Sequence, residues 1–262
     1  MNPLEVTHLK AGYGSTVILK DVSMQVAPGE IRVILGGSGC GKSTLLNNII
    51  GLEKAMGGEI LFLGQKIQAG KEFLSQETLS KTGVLFQNGA LMSSMTVAQN
   101  VALPLHMYRP GLKKAVLDEI VASKLEMVNL LHAFHKFPSE LSGGMRKRAA
   151  LARAIVTDPQ ILFCDEPSAG LDPISAKGLD ELLLNLRVKL ELSVVIVTHE
   201  LDSIKTICDK LVFLSGGVVI FDGTLQDAIQ CDQEEVRNFF ARKTQENWGD
   251  HKLLDFFEGG ES

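Results

Sequence analysis

One eight-residue run, Gly36-Gly37-Ser38-Gly39-Cys40-Gly41-Lys42-Ser43, constrains this chain more than any other feature. It fits G-x-x-x-x-G-K-[ST], follows the apolar run Ile31–Leu35 and precedes a helical pattern over Lys42–Ile50. A strand, a glycine loop and a helix in that order belong to an α/β layer. The glycines let the backbone turn successive N–H groups inward, and the following helix adds the positive end of its dipole. The loop is therefore a cradle for phosphate oxygens. Lys42 is placed to reach the β- and γ-phosphates of a nucleoside triphosphate, with Ser43 as a ligand for Mg²⁺ and Thr44, next in the helix, as a further nucleotide-binding residue.

The rest of the chain supplies a sheet for this unit. Strand-like runs fall at Leu4–Leu9, Ile18–Val26, Glu59–Leu63, Gly83–Phe86, Ile161–Cys164 and Val194–Val197. Lys210–Leu214 and Val218–Phe221, split by Ser215-Gly216-Gly217, read as a hairpin. Helical patterns occupy Lys113–Leu131, Gly144–Thr157, Ile174–Leu190 and Leu201–Cys208, with a charged amphipathic helix expected after Thr224. Strands alternating with helices predict a parallel sheet, and the early strands joined by short turns predict an antiparallel patch beside it. From about 88 to 159 strand-like runs vanish, which predicts a helical subdomain inserted between two strands. The last stretch carries Trp248, Leu253, Leu254, Phe256 and Phe257, more apolar surface than a purely solvating tail needs.

Charge and cysteine usage narrow the classes. Lysine and arginine total 26 against 31 acidic residues, a net charge of −5 that offers no electrostatic footprint for nucleic acid. The four cysteines, Cys40, Cys164, Cys208 and Cys231, show no metal-ligand spacing and imply a reducing compartment. Cys40, in the loop at a helix start, is a candidate for a reactive thiol, with simple space-filling as the alternative. His132 and His135 lack acidic partners and read as surface residues. No apolar run approaches the 18 or so residues that span a bilayer, so a cytoplasmic chain is expected, reaching any membrane through a partner.

Two further elements specify the chemistry. Ile161-Leu162-Phe163-Cys164 is an apolar strand ending in Asp165 and Glu166. Asp165 is suited to orient Mg²⁺ through water, and Glu166 to polarise an attacking water. Leu141-Ser142-Gly143-Gly144-Met145, before an Ala-rich helix, is a second phosphate cradle built from a hydroxyl and bare backbone N–H groups. One chain with two cradles suggests that the second closes on a nucleotide held by another copy.

With these residues the sequence resembles the ATP-binding-cassette (ABC) ATPases over roughly residues 4–225, with Met145 where the signature LSGGQ has Gln. The resemblance implies a P-loop NTPase of α/β class: a RecA-like mixed sheet core, an antiparallel β patch and the helical subdomain, all within 1–243, and a C-terminal extension at 244–262. It assigns Tyr13 to stack on adenine, Gln87 to sense Mg²⁺ and the attacking water, Asp172 to the loop linking two sites, and His199 to contact the γ-phosphate. It implies ATP and Mg²⁺, a head-to-tail dimer with two ATP molecules at the interface, and Ser142, Gly143 and Gly144 acting across it. The segment Leu85-Phe86-Gln87-Asn88-Gly89-Ala90-Leu91, with Met95-Thr96-Val97 and Asn100-Val101-Ala102-Leu103-Pro104-Leu105, is similar to lipid-transporter ATPases that work with MCE-domain proteins, of which the Mla system is the type case. That likeness implies a membrane permease, an MCE-domain protein and a STAS-domain regulator as partners, at the cytoplasmic face of the inner membrane. An apolar stripe of Met92, Met95, Val97, Val101 and Leu103 is expected either to pack in the core or to receive the permease. An amino-acid importer ATPase shares every catalytic motif, and a soluble ABC ATPase acting on nucleic acid is the third class.

Overall fold

The computed structural model describes residues 1–68 and 75–241. Among the described residues ten strands form one sheet in the order β5-β4-β1-β2-β10-β9-β3-β8-β7-β6. They are β1 (Leu4–Tyr13), β2 (Thr16–Val26), β3 (Ile31–Gly36), β4 (Gly57–Phe62), β5 (Gln65–Gln68), β6 (Thr82–Leu85), β7 (Ile161–Asp165), β8 (Ser193–Val197), β9 (Lys210–Ser215) and β10 (Val218–Gly223). The helices are α1 (Lys42–Ile49), α2 (Gln76–Ser80), α3 (Val97–Tyr108), α4 (Lys114–Met127), α5 (Gly143–Ala154), α6 (Pro173–Leu190), α7 (Leu201–Ile207) and α8 (Leu225–Gln230).

The sheet has two characters. Every residue of β3 and β8 is buried, which is why both read as unbroken apolar runs. They pair in parallel with each other, β3 continuing to β9 and β8 to β7, which in turn pairs with β6. On the other side, β1 pairs antiparallel with β2 and β4, and β4 with β5. The antiparallel patch joins the parallel sheet through the β9–β10 hairpin, where Val218 of β10 pairs in parallel with Asp21 of β2. Phe62 of β4 and Phe163 of β7 stack with centroids 5.8 Å apart, packing the two halves on one core.

Between β6 and β7 the chain forms α3, α4 and α5, with α5 packed on β6. Thr96 starts α3 with a reciprocal capping box: its hydroxyl accepts from the Gln99 N–H, while the Gln99 side chain accepts from the Thr96 N–H. The apolar stripe divides here. Val97 and Val101 are fully buried, Met95 and Leu103 are half-buried, and Met92 is 50% exposed.

Three features depart from expectation. β1 runs on to Tyr13 because Ala11, Gly12 and Tyr13 keep pairing with β2 after register shifts. β5 and α2 have little sequence signal, because Gln65-Lys66-Ile67-Gln68 holds one apolar residue and α2 is a short polar helix capped by Ser75. The helix expected after Thr224 is two: α8 ends at Gln230 and helical backbone resumes over 234–241, where Phe239 meets Phe213 edge-on at 5.5 Å. The extension 244–262, with Trp248 and its apolar neighbours, lies outside the described residues. Among the described residues no helix is long and apolar enough to cross a membrane.

Candidate active site

Four neighbouring parallel strands, β3, β8, β7 and β6, deliver the expected chemistry at their C-terminal ends, where open α/β sheets bind ligands. After β3 comes the glycine loop. Gly36 has φ +147°, and a Cβ there would lie 2.3 Å from the Leu214 carbonyl oxygen, so only glycine lets the loop leave β3 this close to β9. Gly41 has φ +105°, and a Cβ would meet Leu19 Cδ2 at 2.5 Å. Gly41 is also the N-cap of α1, which has no side-chain cap, leaving first-turn N–H groups available to an anion. Lys42 Nζ donates to the carbonyl oxygens of Gly36 and Gly37 at 2.8 and 2.9 Å, so its charge is held over the loop. Cys40 Sγ is 3.9 Å from that ammonium, and the thiol is half-buried. Ser43 is exposed at the helix start and Thr44 is buried behind it.

After β7 and β8 come the acidic pair and the histidine. Asp165 is the last residue of β7, and burial, followed by repulsion from Glu166, holds its carboxyl above the usual range, opposed by Lys147 and Lys42. Glu166 has φ +45°, an uncommon conformation for a residue with a side chain. Its N–H donates to the Val197 carbonyl at 2.8 Å, tying it to the end of β8. Glu166 Oε1 lies 2.7 Å from His199 Nδ1, while Oε2 is buried without a hydrogen-bond partner. His199 is half-exposed, with Nε2 3.3 Å from Glu200 Oε1. Gln87 stands two residues past β6 with an exposed side chain, and its carbonyl accepts from the Lys147 ammonium.

The remaining candidates sit around this centre. Tyr13 is 51% exposed, and its hydroxyl donates to Glu53 Oε1 at 2.8 Å; Glu53 also accepts from Asn47 on α1, so the ring is held beside that helix. Ser142 caps α5, accepting from the Met145 N–H at 3.3 Å. Asp172 caps α6, and donation from Ser175 keeps its carboxylate below the usual range. Cβ atoms added at Gly143 and Gly144 would each lie 3.6 Å from a side-chain atom of Leu171 or Ser175. The second cradle is thus seated on the start of α6. Among the described residues no hydrogen bond joins 142–144 to the glycine loop. His132 and His135 are exposed, and no cluster of metal-ligating side chains is present among the described residues.

Lys147 is a further residue of this centre that the sequence motifs do not mark. It stands in Arg146-Lys147-Arg148, which looks like a solvated basic run, yet it shares a helical face with the buried Ala150 and Leu151. That spacing is the signal that could have revealed it.

The sequence profile described as ABC transporter matches residues 19–169. The chain belongs to the ABC transporter family. Among its relatives, the probable ribonucleotide transport ATP-binding protein mkl of Mycobacterium leprae is 40% identical over 238 residues, covering 90% of this chain and 68% of that protein. The methionine import ATP-binding protein MetN of Latilactobacillus sakei is 37% identical over 226 residues, covering 86% of this chain and 65% of its own. The chain therefore spans about two thirds of the length of the curated relatives it matches. Solved structures agree: cbiO1 from Clostridium perfringens superimposes with a TM-score of 0.77 at 30% identity, covering 93% of this chain and 96% of that one. The dimeric ABC cassette MJ0796 does so with a TM-score of 0.75 at 29% identity, covering 85% of this chain and 98% of that one. The same cassette is known as a post-hydrolysis dimer bound to ADP and Pi. As an ABC ATP-binding subunit this chain has the P-loop α/β fold and hydrolyses ATP, and cassettes of this kind dimerise and work with a membrane permease.

Proposed function

We propose that this subunit drives phospholipid transport in an MCE/Mla-type system, with Glu166 as the group that polarises the attacking water. The observation that carries the catalytic reading is the Glu166–His199 pair at the end of β7 and β8, 2.7 Å apart and one strand from the glycine loop. Lys42 and the loop N–H groups hold the β- and γ-phosphates. His199 fixes the Glu166 carboxylate through Oε1 and faces the γ-phosphate, and Tyr13 stacks on adenine. Ser142, Gly143 and Gly144 close on the nucleotide of a second copy, with Asp172 at the seam.

Mg²⁺ fits the residues present. Ser43, Gln87 and Asp165 offer hard oxygen donors, and the mutual repulsion of Asp165 and Glu166 is what a divalent cation would relieve. Such an ion would neutralise charge on the phosphates.

The lipid assignment rests on the Leu85–Leu105 segment and the Met145-bearing signature, and residues 88–159 are the region proposed to receive the permease. The likeness to MetN favours a second reading, an amino-acid importer subunit. Both readings place the chain at the cytoplasmic face of a membrane. The lipid reading adds an MCE-domain partner and a STAS-domain regulator. Glu166→Gln should keep ATP binding and lose turnover by about 10²–10⁴-fold, and turnover within threefold of wild type would refute the catalytic role. Purification from native membranes should bring down a multispanning permease with an MCE-domain protein. Reconstituted vesicles should then move fluorescent phospholipid on ATP addition, whereas ATP-driven methionine uptake would establish the importer instead.

A further inference from the structure

The Arg-Lys-Arg run after the second cradle hides a device that the motifs do not describe. Lys147 projects from the first turns of α5 to the ends of two sheet strands, where its ammonium donates to the carbonyl of Gln87 past β6 and, at 3.1 Å, to the carbonyl of Glu166 past β7. The side chain is only 7% exposed. Six residues on, Arg153 donates to the Gly89 and Ala90 carbonyls at 2.6 Å each, so the same helix grips the segment 87–90 twice. A buried ammonium loses hydration, which holds Lys147 below the usual lysine range, and the two carbonyls with the nearby Glu166 and Asp165 carboxylates offset part of that loss.

We propose that Lys147 is a positioning residue for ATP hydrolysis, holding the Gln87 and Glu166 peptides to the helix whose N-terminus carries the Ser142-Gly143-Gly144 cradle. The proposal rests on the roles assigned above to Glu166 and to that cradle. Glu166 sits at φ +45°, a conformation that persists only when its surroundings over-determine it. Its N–H is fixed by Val197 and its carbonyl by Lys147, so the peptide is clamped from both sides and the carboxylate is aimed at His199. The cradle serves the partner copy's nucleotide while Glu166 serves this copy's, so Lys147 is a direct mechanical link between the two sites.

A double-mutant cycle on the full chain tests this, with ATP turnover, KM and melting temperature read for Lys147→Met, Glu166→Gln and the double variant. If Lys147 acts through Glu166, Lys147→Met lowers kcat by roughly 10–100-fold with KM within about threefold, and the double variant falls no further than Glu166→Gln alone. Lys147→Arg keeps charge and donors and should recover kcat to within about threefold of wild type. Lys147→Gln, neutral but still a donor, goes through the same cycle so that the result does not hang on how the Met variant folds. Losses that multiply in the double variant overturn the proposal, as do a kcat near wild type for Lys147→Met or a loss that tracks KM and melting temperature. Wild-type turnover in Glu166→Gln alone marks a different failure, that of the base assignment itself.

Discussion

The left-handed backbone at Glu166 makes a stability prediction whose sign is diagnostic. Replacing Glu166 by Ala or by Gly removes the carboxylate, the His199 contact and turnover equally, so the two variants differ only at the backbone and Cβ. At an ordinary position Ala outperforms Gly by about 0.5–1 kcal/mol, because Gly has more unfolded-state freedom to lose. At φ +45° the Cβ instead costs roughly 1–2 kcal/mol in contact with the following carbonyl. Subtracting the unfolded-state term leaves the Gly variant more stable by about 0.7 kcal/mol at mid-range, within limits of roughly 0–1.5 kcal/mol. For a chain of this size that is a rise of about 1–2 °C in melting temperature. Urea unfolding is the better assay, since both variants expose the same surface and should share one slope, so that midpoints compare directly. An Ala variant more stable than the Gly variant would refute the reasoning: Glu166 would then carry no strain, and the two-sided clamp by Val197 and Lys147 would have nothing to hold.

Two further outcomes follow from burial. Val97→Glu puts a carboxylate in the core of the helical region and should destabilise the isolated subunit by more than about 3 kcal/mol, whereas Met92→Asp, at a half-exposed site, should stay within about 0.5 kcal/mol while weakening permease association. Melting curves and co-purification check both, and a stable Val97→Glu would place that side chain outside the core. Burial pushes the Cys208 thiol up to about 12 and Cys164 well above the usual thiol range, since loss of water penalises the thiolate. At pH 8 only about 10⁻⁴ of Cys208 is then thiolate, so alkylation should be slow and quicken about tenfold per pH unit towards pH 11. Peptide mass spectrometry after iodoacetamide measures it, and a rate that does not change with pH contradicts the burial argument.

What could be read in the sequence was what the chemistry restricts to few residue types. The run from Gly36 to Ser43 is legible because positive φ and close backbone approach admit only glycine at Gly36 and Gly41. Asp165, Glu166 and His199 are legible because each ends a continuous apolar run, and the fully buried β3 and β8, with β7 buried up to Asp165, announce themselves the same way. What was illegible depends on partners far along the chain. Lys147 looks like its solvated neighbours until the carbonyls of Gln87 and Glu166 are brought to it. The stripe from Met92 to Leu103 crosses from a turn into α3, so no single period sorts Val97 inward and Met92 outward. The pairing of Asp21 with Val218 that joins the two sheet regions leaves no local trace at all.

The position of β3 also sets a schedule for synthesis. Its partners are β8 and β9, with Ile31 opposite Val194 and Gly36 opposite Leu214, so the strand that presents the phosphate loop has no neighbour in the first half of the chain. A nascent chain exposes the glycine loop early but cannot fix it until Leu214 has been made, roughly 10–40 s later at ordinary elongation rates. Until then the strand is an unpaired apolar edge that aggregates more readily than it binds ATP. Nucleotide binding is therefore acquired only once β9 has been made, and a nascent chain that stops short of Leu214 is met by chaperones and proteases as an open sheet.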